Sequence, residues 1–159
     1  TVFLTRLAVT YEILPEADIR KIFDATAGTL AGDAYYRRWT GHYLANCREL
    51  VLLAGQGPVV GYLMGCYDSM ALADDIFYIR AFTDLYATYP AHFHVNLLPA
   101  AQGRGVGRTL IEAFLADAPP THVVTGERAT NRAFYSRLGF VDATSRYVAG
   151  RELVLLGRA

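Results

Sequence analysis

Along this chain the spacing of apolar residues changes period several times, and each change marks an element. Val2–Thr10 reads as a strand, with Val, Leu and Phe interleaved among smaller and polar positions. Pro15 stands where a first helical turn tolerates proline, Glu16 and Asp18 follow it, and Ile19, Ile22 and Phe23 recur at helical spacing. Gly28–Gly32 is a flexible connection, after which Asp33 is placed to cap a second helix bearing Tyr35, Tyr36, Trp39 and Tyr43. Glu49–Ala54 and Val59–Tyr67 are strands joined across Gly55–Pro58 as an antiparallel hairpin. Ser69–Tyr89 is a mostly helical excursion rich in aspartate and aromatic residues. His92–Leu98 is again a strand, closed by Pro99. Arg108–Ala116 is a helix with Leu110, Ile111, Phe114 and Leu115 on one face. Strand Thr121–Thr125, helix Asn131–Leu138 ended by Gly139, and two closing strands follow. Strands dominate early and alternate with helices late, which predicts an α/β domain: a mixed, partly parallel sheet with helices on its faces.

Composition narrows the field of functions. A chain of 159 residues is one domain with room for its own core. Its formal charge is zero and only 19% of its residues are charged, so no basic surface for nucleic acid is expected. Cys47 and Cys66 form no Cys-x-x-Cys pair and no disulfide ladder; they read as buried thiols of a reducing, cytoplasmic compartment. No apolar run approaches the roughly 18–20 residues of a membrane span, and no signal-peptide pattern is visible.

The chemistry concentrates at Gln102-Gly103-Arg104-Gly105-Val106-Gly107, a glycine-rich turn between a strand and a helix. Such a turn aims several backbone N–H groups at the positive end of a helix dipole, which suits a pyrophosphate. Glycine is needed because phosphate reaches the main chain closely only where no Cβ intervenes. A P-loop would place glycine at position 102 and lysine at 108, where this chain has Gln102 and Arg108. A dinucleotide fingerprint would use Gly103, Gly105 and a third glycine, but the third position is Arg108. Glu127 does lie about the expected ~20 residues on for a ribose-binding acid. Too little chain remains after the turn, however, for a full dinucleotide-binding half.

The segment Leu97-Leu98-Pro99-Ala-Ala-Gln102-Gly103-Arg104-Gly105-Val106-Gly107-Arg108 resembles the pyrophosphate motif of the GNAT N-acetyltransferases, Gln/Arg-x-x-Gly-x-Gly/Ala. A second block, Asn131-Arg-Ala-Phe134-Tyr135-Ser-Arg-Leu-Gly139-Phe140, is similar to the other signature of that family. Leu-Leu-Pro, Val60-Gly61-Tyr62-Leu-Met-Gly65, Ala133–Gly139 and Leu153–Arg158 further resemble the acetyltransferase-like C-terminal domain of eukaryotic O-GlcNAcases. The chain looks like a free-standing relative of that domain with its glycine turn intact. The resemblance implies a GNAT fold: a mostly antiparallel mixed sheet, splayed at the acyl-CoA site, with helices on both faces.

It also implies a site. Gln102, Gly103, Arg104, Gly105, Val106, Gly107, Arg108 and Thr109 would surround the pyrophosphate of acetyl-CoA, mainly through main-chain N–H groups. The backbone at Leu97 and Leu98 would hold the pantetheine arm. Asn131 matches the asparagine that contacts that arm, or else caps its helix. Phe134 borders the cofactor or only the core. Tyr135 sits where the family places an acid near the CoA sulfur, or else packs its helix onto the sheet. The implied reaction is acetyl transfer to a primary amine, on a small molecule or on a protein lysine or N-terminus, by direct attack in a ternary complex. An acetyl-CoA-binding module without catalysis is the alternative, and a homodimer is left open.

Acetyl transfer makes three demands: a neutral attacking amine, a donor for the tetrahedral oxyanion, and an acid for the leaving thiolate. His92 and His94 share a strand face and histidine titrates in a useful range, so either is a candidate base, though such a histidine is more often a hydrogen-bonded sheet residue. They could also be metal ligands, but no third ligand accompanies them. Asn96, on the same face, can orient substrate or water, and Asp68 is another candidate. Packing accounts for most of the aromatic set Tyr35, Tyr36, Trp39, His42 and Tyr43, with one or two of them candidates to line an acceptor cleft, and Asp74, Asp75 and Asp84 either attract a cationic amine or are ordinary loop acids.

Overall fold

The computed structural model describes residues 3–6, 15–28, 32–55, 57–126 and 129–159. Val2 and residues 7–10 of the predicted first strand, residues 29–31 of the glycine connection, Gln56 of the hairpin turn and Glu127 lie outside the described residues. Among the described residues seven strands form a sheet: β1 (Phe3–Arg6), β2 (Val51–Gly55), β3 (Val59–Cys66), β4 (Ala91–Leu97), β5 (Thr121–Gly126), β6 (Val141–Val148) and β7 (Arg151–Arg158). Their order is β1-β2-β3-β4-β5-β7-β6. The β4–β5 pair is parallel, and β1–β2, β2–β3, β5–β7 and β6–β7 are antiparallel. The predicted mixed α/β sheet is thus present. Two compact units make up the chain, Thr1–Cys66 with His94–Asp117, and Tyr67–Phe93 with Ala118–Ala159.

In the first unit, α1 (Glu16–Thr26) starts behind Pro15 and buries Ile19, Ile22 and Phe23, the residues its 3.6-residue period brings together. The Asp18 carboxylate accepts the Val59 N–H at 3.0 Å and ties the helix to the start of β3. The second helix runs as α2 (Asp33–Tyr36), a π-helical turn (Arg37–Gly41) and α3 (His42–Asn46). Its predicted cap is wrong in detail. Gly32 occupies the cap position and Asp33 is the first helical residue, because its carboxylate binds Arg20 at 2.8 Å instead of its own backbone. Helix α5 (Val106–Leu115) buries Val106, Leu110, Ile111 and Phe114 against β2 and β3, while Leu115 is half-buried. Gly65 makes that packing possible: a Cβ there would lie 2.3 Å from the Phe114 ring.

In the second unit the excursion after β3 consists of a 3₁₀ turn (Ser69–Leu72), α4 (Phe77–Arg80) and a second 3₁₀ turn (Thr83–Leu85). Its ends are closed by Ser69, whose N–H donates to the Pro90 carbonyl at 2.8 Å. Helix α6 (Ala129–Arg137) ends at Gly139, whose φ of +88° is a left-handed conformation that favours glycine. The Phe140 N–H then returns to the Tyr135 carbonyl at 3.1 Å. Strands β6 and β7 are joined by Ala149 and Gly150, both at positive φ, the backbone of a two-residue hairpin turn.

Candidate active site

The glycine turn has the geometry that its sequence promised. Pro99–Ala101 forms a single 3₁₀ turn after β4, and Gly103 and Gly105 then take φ of +71° and +79°. Gly105 is the left-handed cap of α5. Among the described residues no backbone carbonyl accepts from the N–H groups of residues 103–108; the first helical bond is Thr109 N–H to the Gly105 carbonyl at 3.0 Å. These donors gather at a helix N-terminus, where the dipole adds partial positive charge. A Cβ at Gly103 or Gly105 would meet nothing within 4 Å, so the space over the turn is open.

Side chains around this turn mostly look after the protein. The Gln102 amide donates to the Leu97 carbonyl at 3.2 Å and braces strand against turn. The Thr109 hydroxyl donates back to the Gly105 carbonyl at 2.9 Å. Arg108 pairs with Glu112 at 2.8 Å on the exposed helix surface. Arg104 is exposed and makes no ion pair among the described residues, so its charge is available to an anion. Val106 and Gly107 are buried and anchor the turn.

Strand β4 pairs with β5 at Ala91 and His92, opposite Thr121 and His122. On its other side β4 stays bound: the Leu98 N–H donates to the Val60 carbonyl at 2.8 Å, and Gly61 leaves room for Leu97, whose Cδ2 would lie 2.3 Å from an added Cβ.

His94 and Asn96 enter a buried polar group that also includes Tyr62 and Tyr43. The Asn96 amide donates to the Tyr62 hydroxyl at 3.0 Å. Burial raises the Tyr62 phenol, with hydrogen bonding from Asn96 opposing. The His94 ring stands edge-on to Tyr43 and Tyr62, with centroids at 5.0 and 6.1 Å. Both of its ring nitrogens are shielded from solvent and neither has a hydrogen-bond partner among the described residues. Burial lowers its pKa to about 4, so the imidazole is neutral at physiological pH. Sequence reasoning missed Tyr62 as a site residue. The available signal was a polar-tipped aromatic inside an otherwise apolar buried strand, which needs a partner.

His92 behaves differently from its strand neighbour. In the second unit its Nδ1 lies 2.6 Å from the Ser69 hydroxyl, and its ring faces His122 at 5.6 Å, so it is a hydrogen-bonded sheet residue. The same unit holds Tyr135, half-buried on α6 among Phe93, Phe134 and Phe140 at centroid distances of 6.3, 5.3 and 5.8 Å. Burial pushes its phenol up to about 12. Asn131 is the third residue of α6, not its cap, and its amide donates weakly to Thr125 Oγ1 at 3.4 Å. Asp68 is exposed after β3.

A left-handed glycine turn and a row of unused amides thus open helix α5. A family model described as an acetyltransferase (GNAT) domain matches residues 48–142, the stretch from the β2–β3 hairpin through the glycine turn and α6 to the start of β6. The chain belongs to the GNAT acetyltransferase family. It is therefore a GNAT-type N-acetyltransferase, and its acyl donor is acetyl-CoA. The chain is similar to the solved structure of SsHAT, with 26% identity over 99% of this chain and 98% of that one, at a TM-score of 0.77. It shares its fold with yncA of Salmonella typhimurium, solved with its cofactor acetyl-CoA: 17% identity, 98% and 92% coverage, TM-score 0.63. The fold is also that of Chaetomium thermophilum Naa20 in complex with a bisubstrate analogue: 20% identity, 99% and 85% coverage, TM-score 0.64. For this GNAT domain no described helix is long and apolar enough to cross a membrane.

Proposed function

We propose that this acetyltransferase transfers the acetyl group to a primary amine by direct attack in a ternary complex. The observation that carries the reading is the row of unused N–H groups behind Gly103 and Gly105, a main-chain anion site suited to the CoA pyrophosphate. Arg104 adds charge there. The backbone of Leu97 and Leu98 holds the pantetheine, and Asn131 and Phe134 border the cofactor, as the family motifs imply.

In this reading the amine nitrogen attacks the thioester carbonyl, the C–N bond forms, and the tetrahedral oxyanion collapses with loss of the C–S bond. Tyr135 gives the leaving thiolate its phenolic proton and regains one from solvent; its raised pKa keeps the donor protonated at physiological pH. His94 is too weak a base to deprotonate an ammonium, so it serves as a neutral hydrogen-bonding group. Asn96, held by Tyr62, orients the acceptor, and the amine loses its proton to water. Zero formal charge supports a small or peptide acceptor rather than nucleic acid, and two buried thiols support a reducing cytoplasmic setting.

A second reading, acetyl-CoA binding without turnover, is favoured by one observation: His94, the candidate base, is lowered to about 4 with both ring nitrogens shielded from solvent. The likeness to O-GlcNAcase acetyltransferase-like domains supports it too. Thiol release from acetyl-CoA across a panel of amines separates the two readings. Turnover that falls at least about tenfold in Tyr135→Phe, with acetyl-CoA affinity unchanged, supports catalysis. Ligand-induced stabilisation without thiol release supports the binding module. Gly105→Glu should abolish acetyl-CoA binding in calorimetry under either reading; unchanged affinity would overturn the assignment of the turn.

A further inference from the structure

In the first unit Tyr36, Thr40, Tyr43, Tyr62, His94 and Asn96 make one polar group, and none of them carries a carboxylate, ammonium or guanidinium. Tyr36, Thr40 and Tyr43 are all buried on the stretch that contains the π-helical turn, a distortion that recurs at functional sites. Tyr36 and Thr40 lie near the Tyr62 phenol of β3, and Tyr43 meets the His94 ring edge-on at 5.0 Å. Burial, with the Glu16 carboxylate adding to it, pushes the Tyr36 phenol up to about 12, so it stays protonated. Two ionised side chains of α1 touch the rim of the group, and their charges are opposite. Glu16 accepts from the Tyr36 hydroxyl at 3.5 Å, and the Arg20 guanidinium lies over the Tyr36 ring at 4.8 Å.

Asn96 is half-buried where Tyr43 and Tyr62 are fully covered, and it immediately precedes Leu97, whose backbone holds the pantetheine in the reading above. Its Nδ2 donates to the Tyr62 hydroxyl at 3.0 Å, which fixes the amide and turns Oδ1 away from that partner. Among the described residues Oδ1 accepts no hydrogen bond. An amide oxygen accepts one N–H of a neutral amine, but it neither balances the charge of an ammonium nor removes its proton. The group beside the pantetheine therefore suits an amine that arrives as the free base.

Resting on the amine reading above, we infer that Asn96 sets the acceptor class: the enzyme takes a weakly basic amine, whose conjugate acid ionises near neutrality, in preference to a lysine-type alkylamine. At pH 7 about one lysine-type amine in 2,500 is the free base, against roughly one α-amine in ten. Greater basicity restores part of that gap through nucleophilicity; with a Brønsted slope of about 0.5, a net advantage of about tenfold remains. The nitrogen enters with its lone pair free and one N–H on Asn96 Oδ1. The C–N bond forms, the C–S bond breaks, the second amine proton passes to water, and the sulfur leaves with the proton of Tyr135.

Thiol release from acetyl-CoA by the full chain tests this with glycinamide, hydrazine and propylamine, after subtraction of the enzyme-free rate. At pH 7 kcat/KM for glycinamide or hydrazine should exceed that for propylamine about tenfold. From pH 7 to pH 9 the propylamine value should climb about tenfold per unit, while the values for the weaker bases level off near pH 8. Preference for glycinamide over hydrazine supports a peptide-like α-amine, and the reverse supports a hydrazine. Asn96→Asp is isosteric, can accept from the Tyr62 hydroxyl, and supplies the missing charge. It should raise the ratio of propylamine to glycinamide turnover at least about tenfold. The wild-type comparison stands whether or not that variant folds. Propylamine used at pH 7 as efficiently as both weaker bases, or a folded Asn96→Asp with an unchanged ratio, would overturn the inference and leave acetyl transfer in place. Calorimetric binding of acetyl-CoA with no thiol release from any of the three amines would overturn the catalytic reading, and this inference with it.

Discussion

Acidification from pH 7 to pH 5 should remove about 3.5 kcal/mol of folding stability, through two imidazoles that the fold keeps neutral. His94 and His122 are both lowered to about 4 by burial. The His122 Nδ1 lies 2.9 Å from the Tyr89 carbonyl, which offsets the burial only in part, and its ring stacks on Tyr86 at 4.9 Å. In the unfolded chain each ring titrates near 6.5. Between the two values the unfolded state binds protons that the folded state refuses, so stability falls as pH drops through about 6.5 and goes on falling to about 4. Over the interval from pH 7 to pH 5 this amounts to about 1.8 kcal/mol for each ring. The two lowered carboxylates, Asp33 beside Arg20 and Asp84 beside Arg146, lose their contribution only as pH falls toward and below the ordinary carboxylate range, so pH 5 separates the effects. Urea unfolding followed by the fluorescence of Trp39, at both pH values, measures the difference. His94→Gln and His122→Gln should each remove roughly half of the pH dependence, whatever they do to stability at pH 7. A wild type whose unfolding free energy changes by less than about 1 kcal/mol between the two pH values would refute the reasoning.

Gly157→Ala should destabilise the second unit by about 1–3 kcal/mol or more in the same unfolding assay, because the added Cβ would sit 2.2 Å from the Tyr89 ring. Tyr62→Phe leaves the Asn96 amide without its acceptor and should cost about 1 kcal/mol of stability. In steady-state assays it should also raise the KM for the acceptor more than that for acetyl-CoA; an unchanged acceptor KM would remove Asn96 from the acceptor side.

Much of the fold was legible because burial imposes period. Ile19, Ile22 and Phe23 were read as one helical face and are buried together, and the β2–β3 hairpin sits where its two apolar runs placed it. Misses came where two local preferences compete. Asp33 had the chemistry of a cap, but Arg20 offered it a charged partner and took the carboxylate. Asn131 carried the same cap signal and falls inside its helix, where the amide reaches Thr125. The π-helical turn at Arg37–Gly41 has no signature in residue type alone.

The glycine turn was written in the chain itself. Left-handed backbone next to a helix start requires glycine, so Gly103 and Gly105 announce open amides before any packing is known. The roles of His92, His94 and Tyr62 were not written there. Two histidines two residues apart on one strand face are equivalent in sequence, yet one receives a serine partner and the other a dry aromatic slot. That difference is made by Ser69, Tyr43 and Tyr62, which distant parts of the chain bring to each ring. A local pattern can state backbone conformation; solvation and hydrogen-bond partners, which set charge and reactivity, belong to neighbours that only the folded chain supplies.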